Sequence, residues 1–378
     1  MANDITALRP TAFSAAKIVQ DEPKALLDSI NMGFDDKGVA IGDKVTVPVA
    51  PAAVEKDYVP SMSTAAGDDK TAEAIEVEIT SDKMVDWNLN GEQIRSLENG
   101  DTDQEWQRQL LQQGMRTLRN AAEVRANQAV YPYASRAYGV AGTTPFSGNI
   151  DLIAEALKGM EENGAPISEM SIVMNSAAAF NARKLGIIQQ ADQAGSSEER
   201  RTGKFLPQFG FQLKVSAGVQ NHIKGTGTLY VVNNAPGYVI GDQDIVLGTG
   251  SGTVLTGDVV TFAGDTNQYV TRTGIIAPGS LELQKTGLLE SLAHTTAMTI
   301  GDSYTANLAL ERSAVVGTMR PPSIPDGNMN MQKMLVSDEN GLTYLFVQVV
   351  GDGMITWRLH LAYGFKVVNP EFLFIIQG

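Results

Sequence analysis

The sequence predicts an α+β chain, on three observations. Residues 103–130, DQEWQRQLLQQGMRTLRNAAEVRANQAV, form one unbroken run of helix-favouring residues with Gly114 as its only glycine. Two runs of alternating apolar and polar residues precede it, at 43–49 and 74–79. The C-terminal third is rich in short apolar runs separated by glycine turns.

At 378 residues the chain can hold two or three core-bearing units, and 43% hydrophobic with 19% charged residues is ordinary for a folded protein. A formal net charge of -14 argues against non-specific nucleic-acid binding by the whole surface. With no cysteine there is no disulfide, thiolate nucleophile or cysteine-ligated metal. The first residues, MANDITALRPTAFSA, lack the basic segment and apolar run of a secretory signal. No apolar run reaches the ~18 residues that a membrane-spanning helix needs.

In chain order, residues 1–42 read as an arm without its own core. Helical patches at 12–19 and 23–30 are interrupted by Pro10, Pro23 and Gly33, so the arm is expected to pack on something else. Val45, Val47 and Val49 on one run, and Ile75, Val77 and Ile79 on the other, predict two paired strands. The intervening 51–71, with Pro51, Pro60, Gly67, Asp68 and Asp69, is too polar and irregular to bury itself and reads as a protruding loop. The hairpin is expected to lead through Trp87 and Leu89 directly into the long helix.

That helix would extend roughly 40 Å at 1.5 Å per residue. Trp106, Leu110, Leu111, Met115, Leu118, Ala122, Ala126 and Val130 recur at spacings of three and four, so one side is buried. Arg108, Gln112, Arg116 and Arg119 lie on the other side, which is expected to face water or a neighbour. Pro132 ends the run.

Helix is expected at 150–161 and 177–185 around a short strand at 170–174, giving an α/β unit. Strands are expected at 211–215, 229–232 and 238–240. Between 241 and 300 glycine and threonine become dense, with strands at 259–262, 269–271 and 281–283, the pattern of a small β-barrel or sandwich. Helix is expected again at 304–318, then an extended turn at Arg320-Pro321-Pro322. Strands at 342–350 and 354–368 close the chain as a hairpin.

The residues present no enzyme. His222, His294 and His360 lie far apart, with His360 alternating with Leu359 and Leu361 as a strand residue. No G-x-S-x-G elbow occurs. Gly203-Lys204 is followed by Phe205 and lacks the upstream glycine of a phosphate loop. Gly248-Thr249-Gly250-Ser251-Gly252 reads as a turn within the β-rich stretch. Arg200-Arg201 with Lys204 is too short for nucleic-acid recognition alone. The acidic residues Asp57, Asp68, Asp69, Glu73, Glu76 and Glu78 lack the EF-hand spacing and read as a solvated or interface-forming face.

Several stretches resemble a known family. Asn307-Leu308-Ala309-Leu310-Glu311-Arg312-Ser313-Ala314-Val315-Val316, followed by Arg320-Pro321-Pro322 and Pro325-Asp326-Gly327, resembles the helix-then-proline segment of the coat proteins of P-22-like tailed phages. Trp357-Arg358-Leu359 with Ala362-Tyr363-Gly364-Phe365-Lys366-Val367-Val368-Asn369-Pro370-Glu371 resembles their C-terminal hairpin, and Gly257-Asp258-Val259-Val260-Thr261-Phe262-Ala263-Gly264 their inserted domain.

The resemblance implies the Hong Kong 97 capsid fold. It divides the chain into an arm (1–42), an extended hairpin loop (43–90), a spine helix with peripheral domain (91–148), an axial α/β domain (149–240), an inserted β-rich domain (241–300), a return to the axial domain (301–335) and a C-terminal peripheral hairpin (336–378). It implies a major capsid protein, not an enzyme, without cofactor or metal. Copies would assemble as hexamers and pentamers into an icosahedral shell around double-stranded DNA. A scaffolding protein during assembly and a portal protein at one vertex would be partners, with no membrane. The place implied is the virion capsid, assembled in the host bacterial cytoplasm. Asp57, Asp68, Asp69, Glu76, Glu78, Arg108, Arg116 and Arg119 are the candidate subunit-interface residues. Cross-linking through Lys56 or Lys70 and Asn369, seen in other branches of the fold, is not expected. An encapsulin-like nanocompartment shell and a phage tail or adhesion protein are the alternatives.

Overall fold

The structure, a computed structural model, describes residues 9–20, 25–34, 40–49, 73–99, 103–186, 201–323, 331–337 and 342–378. The described chain opens with α1 (Arg9–Gln20), β1 (Asn31–Phe34), the strands β2 (Lys44–Val49) and β3 (Glu73–Glu78), β4 (Ser81–Asn90), α2 (Gly91–Asn99) and α3 (Asp103–Val130). Next come β5 (Arg136–Tyr138), α4 (Asp151–Glu162), β6 (Met170–Met174), α5 (Ser176–Lys184), β7 (Gln212–Val215), β8 (Asn221–His222) and β9 (Tyr230–Val232). The glycine-rich stretch forms β10 (Asp244–Gly248), β11 (Val259–Phe262), β12 (Tyr269–Val270), β13 (Ser280–Glu282) and β14 (Ala297–Ile300). The last part holds β15 (Tyr304–Glu311), β16 (Val315–Arg320), β17 (Met331–Ser337), β18 (Thr343–Val350), β19 (Met354–Val367) and β20 (Leu373–Gln377).

Three sheets result. One has the order β1-β16-β19-β18-β17, with β4 also on β19. β19 is long enough to pair with β4 from Met354 to Tyr363 and with β16 from Ala362 to Val367. The second runs β13-β10-β9-β14-β11-β12-β5-β20-β15-β6-β7, with β8 on β15. The third is β2 and β3 alone.

The long helix forms over its full expected length, and its apolar stripe does what the spacing requires. Leu111, Met115, Leu118, Ala122, Ala126 and Val130 are buried, in one core with Trp357, Leu359 and Leu361 of β19. A second core lies where α4 and α5 cover Ile172 and Met174 of β6, Ala309 of β15 and Phe374 and Ile376 of β20. A third fills the glycine-rich strands with Tyr230, Ile245, Val260, Phe262, Tyr269 and Leu281.

The structure corrects four local expectations. Residues 304–318 are two strands, not a helix. β15 is buried on both faces, Leu308 and Leu310 in the first core and Ala309 in the second, so no alternation marks it in sequence and burial overrides the helix preference of Leu, Ala and Glu. Residues 25–30 form turns rather than helix. Residues 238–240 supply only a bridge from Tyr238 to Leu292. Between hairpin and long helix stands α2, started by a reciprocal cap in which Asn90 Oδ1 accepts from Gln93 N at 2.8 Å and Gln93 Oε1 accepts from Asn90 N at 3.0 Å.

Candidate assembly interface

The β2–β3 hairpin presents a charged surface on a strand pair that has no third strand among the described residues. Lys44 pairs opposite Glu78, and Thr46 opposite Glu76. Lys44 makes a diagonal ion pair with Glu76. The hydrogen bond and charge of that ammonium hold Glu76 below the ordinary carboxylate range, and both side chains remain exposed. Glu78 is exposed beside them, whereas Val77 is buried. Asp57, Asp68 and Asp69 lie outside the described residues.

The hairpin is fixed at its root. Ile79 packs on Ala362, Thr80 N donates to Tyr363 O at 3.2 Å and Lys366 Nζ donates to Glu76 O at 3.0 Å. At Gly364 a Cβ would stand 2.0 Å from the carbonyl oxygen of Glu78, so the end of β3 lies directly on the backbone of β19.

The polar face of α3 is not as expected. Arg108 pairs with Glu105 and keeps part of its surface, and Arg116 is partly buried. Arg119 is only 7% exposed, and Gln112 is buried too. The cause is α1, which lays Ala12, Ala15, Ala16 and Val19 into the common core, while Arg119 donates to the carbonyl of Val19. One turn further, Glu123 accepts from Leu26 N at 2.8 Å, Leu27 N at 3.1 Å and Ser216 Oγ at 3.0 Å. Lys214 adds an ion pair to Asp28 at 3.2 Å. Part of the face assigned to a neighbour is therefore covered by the chain's own arm. The signal was present in Ala12, Ala15, Ala16 and Val19, whose spacing of three, one and three marks one helix face on which the alanines let two helices approach closely.

A third arrangement joins the glycine-rich strands to the rest. Asp258, fully buried, accepts from His222 Nε2 at 2.8 Å, from Gly225 N at 3.1 Å and from Leu255 N at 2.7 Å. The other ring nitrogen of His222 meets the hydroxyl of Tyr131, just past α3, at 3.3 Å. Tyr304 lies 5.0 Å from the His222 ring and donates to Gly257 O at 2.6 Å; burial raises its phenol. His222 stands isolated in the sequence because its partners lie 36 or more positions away. The stretch begins and ends at one place: Lys224 Nζ pairs with Asp302 at 2.6 Å, and Lys224 N donates to Ser303 Oγ at 3.1 Å.

No protein-family model and no curated protein matches the chain. Among solved structures it is similar to a chain of Mycobacterium phage Che8, at 14% identity and a TM-score of 0.46, covering 89% of this chain and 84% of that one. It is also similar to a chain in the capsid structure of the cyanophage P-SCSP1u, at 10% identity and 0.45, covering 94% and 89%. A third likeness is to the virus-like particle from Pyrococcus furiosus, at 7% identity and 0.45, covering 97% and 98%. With TM-scores below 0.5, these likenesses decide nothing about function by themselves.

The chain's own geometry separates its surfaces by role. Glu76 and Glu78 remain available on the hairpin, Arg108 lies on the partly exposed section of α3, and Arg119 and Glu123 are engaged in holding the arm.

Proposed function

We propose that this chain is a major capsid protein that assembles, as hexamers and pentamers, into an icosahedral shell enclosing double-stranded DNA. The observation that carries this reading is the β2–β3 hairpin, two six-residue strands that pair with no third strand among the described residues and rest on the body at one end. An isolated two-stranded hairpin is marginal in water and gains its order from a surface laid against it. A neighbouring copy supplies such a surface in a closed wall, where obligate interfaces bury roughly 2,000 Å2 or more.

On this reading the β2–β3 part of 43–90 is the loop that reaches a neighbour, α3 is the spine, 149–240 with β15 forms the unit near the local symmetry axis and 241–300 with its flanks is an insertion, whereas β4, β16 and β17, expected in the loop and the axial unit, belong to the sheet of β19. The first 42 residues form the arm, and 336–378 with 91–148 the peripheral wall. Glu76, Glu78, Arg108 and Arg116, with Asp57, Asp68 and Asp69, contact neighbouring copies. A scaffolding protein guides assembly, a portal protein takes one vertex, and assembly occurs in the bacterial cytoplasm before the virion is complete.

Expression of the full chain followed by sedimentation and electron microscopy tests the reading. Closed particles several hundred Å across are expected; monomers under all conditions, tubes or fibres would overturn it. Shells that package protein in place of nuclease-protected DNA during infection would assign the chain to the nanocompartment alternative.

A further inference from the structure

The α/β unit carries two helices on one face of its sheet, and their outer surfaces are opposite in charge. α4 lies over β5 and β20, with Gly159 against the hydroxyl of Tyr138 and the ring of Phe374, and Glu162 pairs with Arg136 of β5 at 3.4 Å. α5 crosses between the parallel strands β6 and β7, and β7 ends the strand order. Beyond β20, the strands β15, β6 and β7 lead away from α4, roughly 15 Å at ~4.8 Å per strand. The outer surface of α4 exposes Asp151, Glu155, Glu161 and Glu162 against a single cation, Lys158. The other end exposes Lys184, Arg201 and Lys204, and the sequence from 175 to 215 holds six cations against three carboxylates, Asp192, Glu198 and Glu199.

The basic end also shows apolar rings that the fold does not use. Phe180 is 61% exposed, with the Lys184 ammonium 5.1 Å from its ring centre. Phe209 is 51% exposed and sits at the tip of a tight turn with φ of 49°, a left-handed conformation that a bulky side chain adopts at a cost. Strain that serves to hold an aromatic ring in water marks a contact surface.

We propose that the α5 surface, with Lys184, Lys204, Phe180 and Phe209, docks head to tail onto the α4 surface of a second copy, where Glu155 and Glu161 meet the cations. The two surfaces are complementary in charge and lie at different places on one chain, so each copy offers one and accepts the other. A heterologous contact of this kind closes into a ring when its rotation allows. The inference rests on the shell reading, and it names the contact around which a ring is organised.

Three charge variants of the full chain test it: Lys184→Glu with Lys204→Glu, Glu155→Lys with Glu161→Lys, and all four together. Each reversed pair sets like charges opposite each other, and particle yield at low salt should fall at least ~10-fold. The fourfold variant restores opposite charges and should return yield to within ~3-fold of the parent. Phe209→Gly removes the ring and relieves the turn, so thermal stability should hold or rise while yield falls. Where a reversal fails to fold by circular dichroism, Phe209→Gly and the salt dependence of parental assembly decide. Shells that tolerate both reversals, lack of rescue by the fourfold variant in a folded chain, or an unchanged yield with Phe209→Gly would overturn the contact. A parent that forms no particle at all overturns the shell reading instead.

Discussion

Glu123 concentrates the anchoring of the arm in one side chain. It accepts two backbone N–H groups of the Ala25–Ile30 turn and the hydroxyl of Ser216. Hydrogen bonds to a charged group contribute about 1.5–3 kcal/mol each, and three are not additive, so Glu123→Ala should cost about 3 kcal/mol in urea unfolding. Glu123→Gln keeps an acceptor and should lose less; equal losses would mean that the charge is unimportant. Asp82 and His360 offer a pH test. They stand 4.0 Å apart, and burial pushes the Asp82 carboxyl up and the His360 imidazole down, so the fold favours the neutral form of each. The signs oppose. Charged Asp82 costs stability at neutral pH, a cost relieved as pH falls through its raised folded value, whereas His360 loses stability as pH falls below about 6.5, its ordinary value. Asp82→Asn should therefore resist urea better than the parent at pH 7.5, with the advantage shrinking toward pH 4. A pH-independent difference would exclude burial of the charge as its cause. None of these roles is legible in sequence, since the partners of Glu123 lie 93 to 97 positions away.

At the scale of elements, legibility followed exposure. α3, α4 and β3 each keep one face wet, and β19 does so over its first half, so their apolar residues recur at the helical or strand period and their existence is readable. β15 keeps neither face wet, and its Asn-Leu-Ala-Leu-Glu run carries a helical texture that only its two cores explain. The docking of α1 on α3 gives a direct test. Ala15 is fully buried between them, and Ala15→Asp places an unpaired charge there, at a cost of several kcal/mol. The expected result is release of the arm, seen as protease cleavage within residues 9–30 while α3 stays protected. Cleavage confined to other segments would show that the arm is held without this helix contact.

For the whole molecule, the contacts at Lys224, Asp302 and Ser303 bring the two ends of the glycine-rich strands together. Replacing 225–301 by a short glycine-serine linker should leave the second core folded, and the first folded but short of Val259 and Val270. A cut at 241–300 would strand β9, whose partners are β10 and β14, and should give a less stable product. Equal stability of the two deletions would count against this placement of the ends. The linker version should unfold more readily than the parent, since Asp258 no longer holds His222. Composition alone marked where glycine and threonine become dense, but not that β9, with its ordinary Tyr-Val-Val, belongs with the same strands.

The backbone contact at Gly364 gives the hairpin a fulcrum. Because the Glu78 carbonyl occupies the place of a side chain on β19, sliding of the two strands along β19 is blocked, and the motion expected of the hairpin is a tilt about that point. Six residues of strand form an arm of about 20 Å, so a tilt of about 10° carries its far end some ~3.5 Å. In the proposed shell, such a tilt would let one subunit reach neighbours set at different angles in five-fold and six-fold rings without repacking its core.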